Sequence, residues 1–159
     1  MLLNKIFVIG FPKCGTTSIH FSLMKNNIKS IHWCEDWFWN PFKKNKIEKL
    51  DFANPHRSIN QIKEAAVGSL ILKSKKNNKK LLQYLEKYQA FCQMDITIPN
   101  ECKEENMVYW PQLEDVPLLN EQYKNSKFIF NDRPIRKWIK SVTRWRGRND
   151  SKNDTLRNR

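Results

Sequence analysis

The sequence predicts an α/β fold: three layers, α/β/α, around a mostly parallel sheet. Three observations carry that expectation. Short apolar runs such as "KIFVI" (Lys5–Ile9) and "KFIFN" (Lys127–Asn131) alternate with stretches of helical spacing. The first run ends at Gly10 and leads through a tight loop into a helix pattern. The 159 residues, 40% hydrophobic and 12% aromatic, suffice for one compact domain with a real core.

Lys5–Ile9 has the β-branched, apolar character of a buried strand. Thr16 to about Asn26 is expected to be a helix, with Ile19, Leu23 and Met24 as its apolar stripe. Ser30–Trp33 is a second candidate strand. "CEDWFWNPF" is aromatic-rich and reads as a short helix ended by Pro41. Ser58–Lys73 has helical spacing at Ile59, Ile62, Ala66 and Leu70, interrupted by Gly68. Asn78–Tyr88 is a second helix pattern with Leu81, Leu82 and Leu85 inward. Ala90–Ile96 reads as a strand, closed by Pro99. "YWPQLEDVPLLNEQY" (Tyr109–Tyr123) has helical character, with Pro111 acceptable near a helix start. Lys127–Asn131 is another buried strand, and Pro134–Trp145 a helix with proline in its first turn. Residues 1–145 are therefore expected to form one α/β domain, and 146–159 a basic, frayed tail.

Net charge is +13, and it is uneven. From Arg133 onward seven Arg and three Lys face only Asp150 and Asp154, about +8. A polyanionic ligand or nucleic acid would suit such a cluster. No recognisable nucleic-acid motif accompanies it, so nucleic acid is not the expected partner. No apolar run reaches the roughly 20 residues of a membrane span, and "MLLNKIFVIGF" reads as a strand rather than a leader. A cytoplasmic protein is expected. Cys14, Cys34, Cys92 and Cys102 form no C-x-x-C pair, and His32 with Cys34 matches no standard zinc spacing. No metal is expected.

In open parallel sheets ligands bind beyond the carboxyl ends of the strands. That rule places Lys13, Asp95 and Arg133 on one edge. "GFPKCGTTS" is the loop that opens the first helix. Its glycines have the separation of a Walker A loop, G-x-x-x-x-G-K-S/T. Thr16, however, stands where that loop has its lysine, and Lys13 sits inside the loop. Helix N-terminal amides, two glycines, the hydroxyls of Thr16, Thr17 and Ser18, and a mobile ammonium together suit a tetrahedral anion.

These residues resemble sulfotransferases that use 3′-phosphoadenylyl sulfate (PAPS), whose loop is close to P-K-x-G-T-T. A second motif of that family has an arginine after a later strand and a serine eight positions on. Arg133 and Ser141 in "KFIFNDRPIRKWIKS" match it. The resemblance implies a P-loop-NTPase-like fold and transfer of a sulfuryl group from PAPS, as co-substrate, to a small-molecule or glycan acceptor. It implies that Lys13 contacts the sulfuryl group and its bridging oxygen. Cys14, Gly15, Thr16, Thr17 and Ser18 would line the 5′-phosphate, and Arg133 and Ser141 would hold the 3′-phosphate. Family members place an acidic residue or histidine near the end of a central strand as the base. Asp95 occupies that position, with His32 second; His20 is expected to be structural. Ser18 stands where many members have a tryptophan that stacks on adenine. Members usually continue with a further strand and a basic, glycine-containing loop, so this chain is expected to be a short or truncated member. Other readings of the same loop are a nucleotide kinase or NTPase, and a protein that only binds a nucleotide or nucleic acid.

Overall fold

The computed structural model describes residues 4–34, 65–98 and 107–143. Four strands make a parallel sheet: β1 (Ile6–Ile9), β2 (Ser30–Ile31), β3 (Ala90–Phe91) and β6 (Lys127–Phe130), in the order β2-β3-β1-β6. β1 pairs with β3 through Ile6↔Ala90 and Phe7↔Phe91 on one side. On the other it pairs with β6 over four residues, from Ile6↔Lys127 to Ile9↔Phe130. β4 (Ile96–Ile98) and β5 (Met107–Tyr109) form a separate antiparallel pair. The helices are α1 (Thr16–Lys25), α2 (Val67–Lys76), α3 (Pro111–Glu114), α4 (Val116–Gln122) and α5 (Ile135–Thr143). The α/β class with a mostly parallel sheet is therefore correct. No described helix is long and apolar enough to cross a membrane.

The core lies on the sheet face that carries Phe7. Its ring stacks on Phe91 at 5.5 Å and packs against Phe128 and Tyr123 at 5.3 and 6.1 Å. Val67 and Ile71 of α2, Leu81, Leu82 and Leu85, and Leu119 of α4 complete it, all buried. A fully buried aliphatic or aromatic side chain contributes roughly 1.5–3 kcal/mol, so this cluster dominates the favourable terms.

Several expectations change. Asn78–Tyr88 is not a helix. Leu81, Leu82 and Leu85 do point inward, but in a series of turns closed by i→i+3 bonds such as Leu85 N–H to Leu82 O. The reason is tertiary: Gln122 Oε1 accepts the Leu81 N–H at 2.8 Å, and the Tyr123 hydroxyl accepts the Leu82 N–H at 2.7 Å. Strand structure in Ala90–Ile96 stops at Phe91 and resumes at Ile96 in the other sheet, so Asp95 sits between two strands rather than at the end of one. Tyr109–Tyr123 is not one helix: Tyr109 ends β5, and α3 and α4 meet at Asp115. Pro111 opens α3, as its missing N–H allows. Ser58–Glu64, most of "CEDWFWNPF", His56, Cys102, Trp145 and the basic tail lie outside the described residues.

Candidate functional site

The chain leaves β1 at Gly10, whose φ is +134°. A Cβ there would stand 2.4 Å from the Asn131 carbonyl oxygen. Only glycine lets this turn touch the backbone that leaves β6, and the Asn131 N–H donates to Ile9 O at 2.9 Å. The strand order reverses here, with β2 and β3 on one side of β1 and β6 on the other. A crevice at such a switch point is where open parallel sheets bind ligands.

Lys13 has φ +68° and Gly15 φ +99°. Left-handed residues in a short loop turn successive N–H groups toward one side, a concavity suited to anions. Gly15 caps α1, whose first turn starts at Thr16 and carries no acidic residue. The Ser18 N–H turns back to Gly15 O at 3.0 Å, and the helix dipole adds positive potential at this end.

Arg133 follows β6, and its Nη1 donates to the Lys13 carbonyl at 2.8 Å. Asn131 Nδ2 donates to Cys14 O at 2.9 Å, and Trp138 Nε1 to Pro12 O at 2.7 Å. Three consecutive loop carbonyls thus take bonds from the segment around Arg133. Burial lowers the pKa of Lys13, and the nearby Arg133 charge lowers it further. The second effect reflects two like charges close together, which an anion would relieve. Ser141 lies half-buried on α5; Ser18 is exposed on α1.

Beneath the loop, Thr16 and Thr17 rest on a histidine. Their hydroxyls lie 3.1 and 3.2 Å from His32 Nε2. His32 is 3% exposed. Burial, with His20 and Lys13 nearby, brings its pKa down to about 3. The ring is covered by the loop and lies against both threonine hydroxyls. His20 is structural, as expected: it is buried, its Nδ1 lies 2.8 Å from Ser30 Oγ, and its pKa falls to about 4.

Asp95 reaches the loop through Gln93. The Thr16 hydroxyl donates to Gln93 Oε1 at 3.3 Å, and Gln93 Nε2 donates to Asp95 Oδ2 at 3.4 Å. Gln112 Nε2 donates to the other carboxyl oxygen at 3.2 Å. Burial raises the Asp95 pKa, and these two amides hold it back in part. Gly68 of α2 sets its position, because a Cβ there would lie 2.6 Å from Met94 O and 2.8 Å from Ile96 Cγ2. Lys13, Cys14, Gly15, Thr16, Thr17, Arg133 and Asp95 are thus linked at one end of the sheet.

Gln93, Gln112 and Asn131 are not found by reading the sequence, and Trp138, on the helix after Arg133, reads there as a core residue. Gln93 had one signal, a polar residue inside an otherwise apolar run. Among the described residues no group of three or more His, Cys, Asp or Glu is placed to hold a metal. Phe11 stands 48% exposed beside the loop, against Trp110 at 5.8 Å and Trp138 at 5.5 Å.

At its strand ends the parallel sheet thus carries a tight glycine-bearing loop with a lysine, joined to an arginine from the next strand. Residues 5–156 match the sulfotransferase domain family, and the chain belongs to it. Members of that family transfer a sulfuryl group and generally take it from PAPS. No curated protein and no solved structure matches the chain.

Proposed function

We propose that this chain transfers a sulfuryl group from PAPS to a hydroxyl or amine acceptor. The observation that carries the reading is the bond between Arg133 Nη1 and Lys13 O, which joins the two anion-binding motifs across 120 residues. In this reading the backbone of Cys14–Thr17 and the Thr17 hydroxyl wrap the 5′-phosphate, while the Thr16 hydroxyl, which donates to Gln93 Oε1, supports the loop from beneath. The remaining N–H groups of Arg133, a planar fork suited to phosphate oxygens, pair with the 3′-phosphate, and Ser141 adds a hydroxyl.

During transfer the acceptor oxygen or nitrogen forms a bond to sulfur as the bond from sulfur to the bridging oxygen breaks. Negative charge develops on the departing phosphate. In this reading the Lys13 ammonium and the loop amides stabilise that charge electrostatically. The acceptor's proton goes to Asp95, whose carboxylate burial makes more basic.

Two measurements test this. Adenosine 3′,5′-bisphosphate is expected to bind far more tightly than adenosine 5′-phosphate; equal affinities would remove Arg133 and Ser141 from donor recognition. Lys13→Ala is expected to lower transfer from PAPS about 10²- to 10³-fold, the usual loss for one transition-state donor, with the fold intact. Unchanged transfer would take Lys13 out of the mechanism.

A further inference from the structure

We infer that Asn131, Arg133 and Trp138 act as a clamp that sets the direction of the loop's amides, so that Asn131 and Trp138 are positioning residues for anion binding. This rests on the donor-binding reading given above. The argument begins with the peptide bond. In a planar trans peptide the carbonyl of one residue and the N–H of the next point in opposite directions. The described chain has no cis peptide. Fixing the carbonyls of Pro12, Lys13 and Cys14 therefore fixes the N–H groups of Lys13, Cys14 and Gly15 on the opposite side.

The three donors come from one short stretch of chain. Trp138 Nε1, Arg133 Nη1 and Asn131 Nδ2 reach Pro12 O, Lys13 O and Cys14 O at 2.7, 2.8 and 2.9 Å. Without them these carbonyls would turn to water, and a peptide flip would bring a carbonyl dipole against the anion. The left-handed φ of Lys13, +68°, is a conformation that a non-glycine residue adopts at a cost. The Arg133 bond to its carbonyl holds it there.

One consequence separates this from the family role of the arginine alone. If Arg133 served only the 3′-phosphate, its loss would leave ligands without that phosphate unaffected. As a member of the clamp it matters to every anion in the loop. Trp138→Phe is the cleanest probe, because it keeps a ring beside Phe11, 5.5 Å away, and removes only the N–H.

The test measures binding of inorganic sulfate, adenosine 5′-phosphate and adenosine 3′,5′-bisphosphate to the full chain and to Trp138→Phe, Asn131→Ala and Arg133→Ala. Amide hydrogen exchange over residues 10–17 and the melting temperature accompany it. Trp138→Phe and Asn131→Ala are expected to weaken all three ligands by a common factor of about tenfold each, the order of one hydrogen bond. Loop exchange should quicken while the melting temperature changes little, a pattern that a merely structural role would not produce. Arg133→Ala should weaken all three, the bisphosphate most. Unchanged sulfate and adenosine 5′-phosphate binding in Trp138→Phe and Asn131→Ala overturns the clamp, even if Arg133→Ala loses the bisphosphate. A wild-type chain that binds sulfate without preferring the bisphosphate overturns the donor reading, and the sulfate series then decides the clamp alone. A wild-type chain that binds none of the three overturns both.

Discussion

β3 and β6 are both parallel partners of β1, yet they are held by different forces. β3 shares only two residues of register with β1, but Ala90, Phe91 and the following Cys92 are wholly buried. β6 shares four residues of register, but Phe130 is 71% exposed, and α5 after it has no fully buried residue. Apolar burial anchors the first. The second is anchored by its ladder, by the single ring of Phe128 on Phe7, and by the side-chain bonds to the loop. The strand that leads to Arg133 therefore depends less on apolar burial and more on the loop that it helps to shape.

That contrast can be broken most directly in the core. Phe91→Ala should cost about 3–5 kcal/mol in denaturant unfolding, the usual loss for a buried Phe. A cost below about 1 kcal/mol would mean that the β3 side is not the anchor. Gly68→Ala comes next. Its new methyl would meet the Met94 carbonyl at 2.6 Å, so α2 and the Asp95 segment must separate. We expect about 2 kcal/mol of destabilisation from overpacking. Transfer should fall as well, through the displaced Asp95, and full activity would show that this carboxyl is not needed.

Acid sharpens the comparison further, because both buried histidines belong to the β2–β3 side. Their folded pKa values, about 3 for His32 and about 4 for His20, lie below the ordinary 6.5. Above pH 6.5 the rings are neutral in both states and the stability is fully present. As pH falls through this window the unfolded chain takes up protons that the folded chain refuses, so stability is lost. The slope should approach about 1.4 kcal/mol per pH unit for each histidine. Asp95 works the other way: with its folded pKa raised, its contribution declines as pH rises above its ordinary 3.8. Replacing His32 with Gln should remove one histidine's share of the slope; an unchanged acid limb in unfolding titrations would refute its burial in the neutral form. The smallest effect belongs to the other strand. Phe130→Ser should alter stability by no more than about 0.5 kcal/mol, as exposed substitutions do. A core-sized loss would show that Phe130 is covered in solution.

Legibility follows the range of the forces. β1, the loop and α1 were readable because strand character, glycine spacing and hydroxyls at a helix start act between near neighbours. β6 and Arg133 were placed for the same reason, but β6 is not the buried strand its apolar run predicts: Lys127, Ile129 and Phe130 are exposed and Phe128 is only partly buried. The leucines of Asn78–Tyr88 showed a correct inward face but a wrong backbone. Their pattern is local, whereas the acceptors for the Leu81 and Leu82 amides are Gln122 and Tyr123, 41 residues away. The β4–β5 pair was missed because an antiparallel partner leaves little mark on a three-residue run.

The sequence by itself determined an α/β chain with a lysine-bearing loop after its first strand and an arginine after a later one. Those features depend on a few adjacent residues and on rules for where strand ends lie. Only the tertiary structure decided that Asn131, Arg133 and Trp138 meet the loop carbonyls and that Gln93 connects the loop to Asp95. The same holds for His32, whose Nε2 lies beside both threonine hydroxyls. A side chain carries its donors and acceptors wherever it stands in the sequence. What it bonds depends on which strands lie side by side, and here the loop's side-chain partners are 15 to 126 residues away from it in sequence.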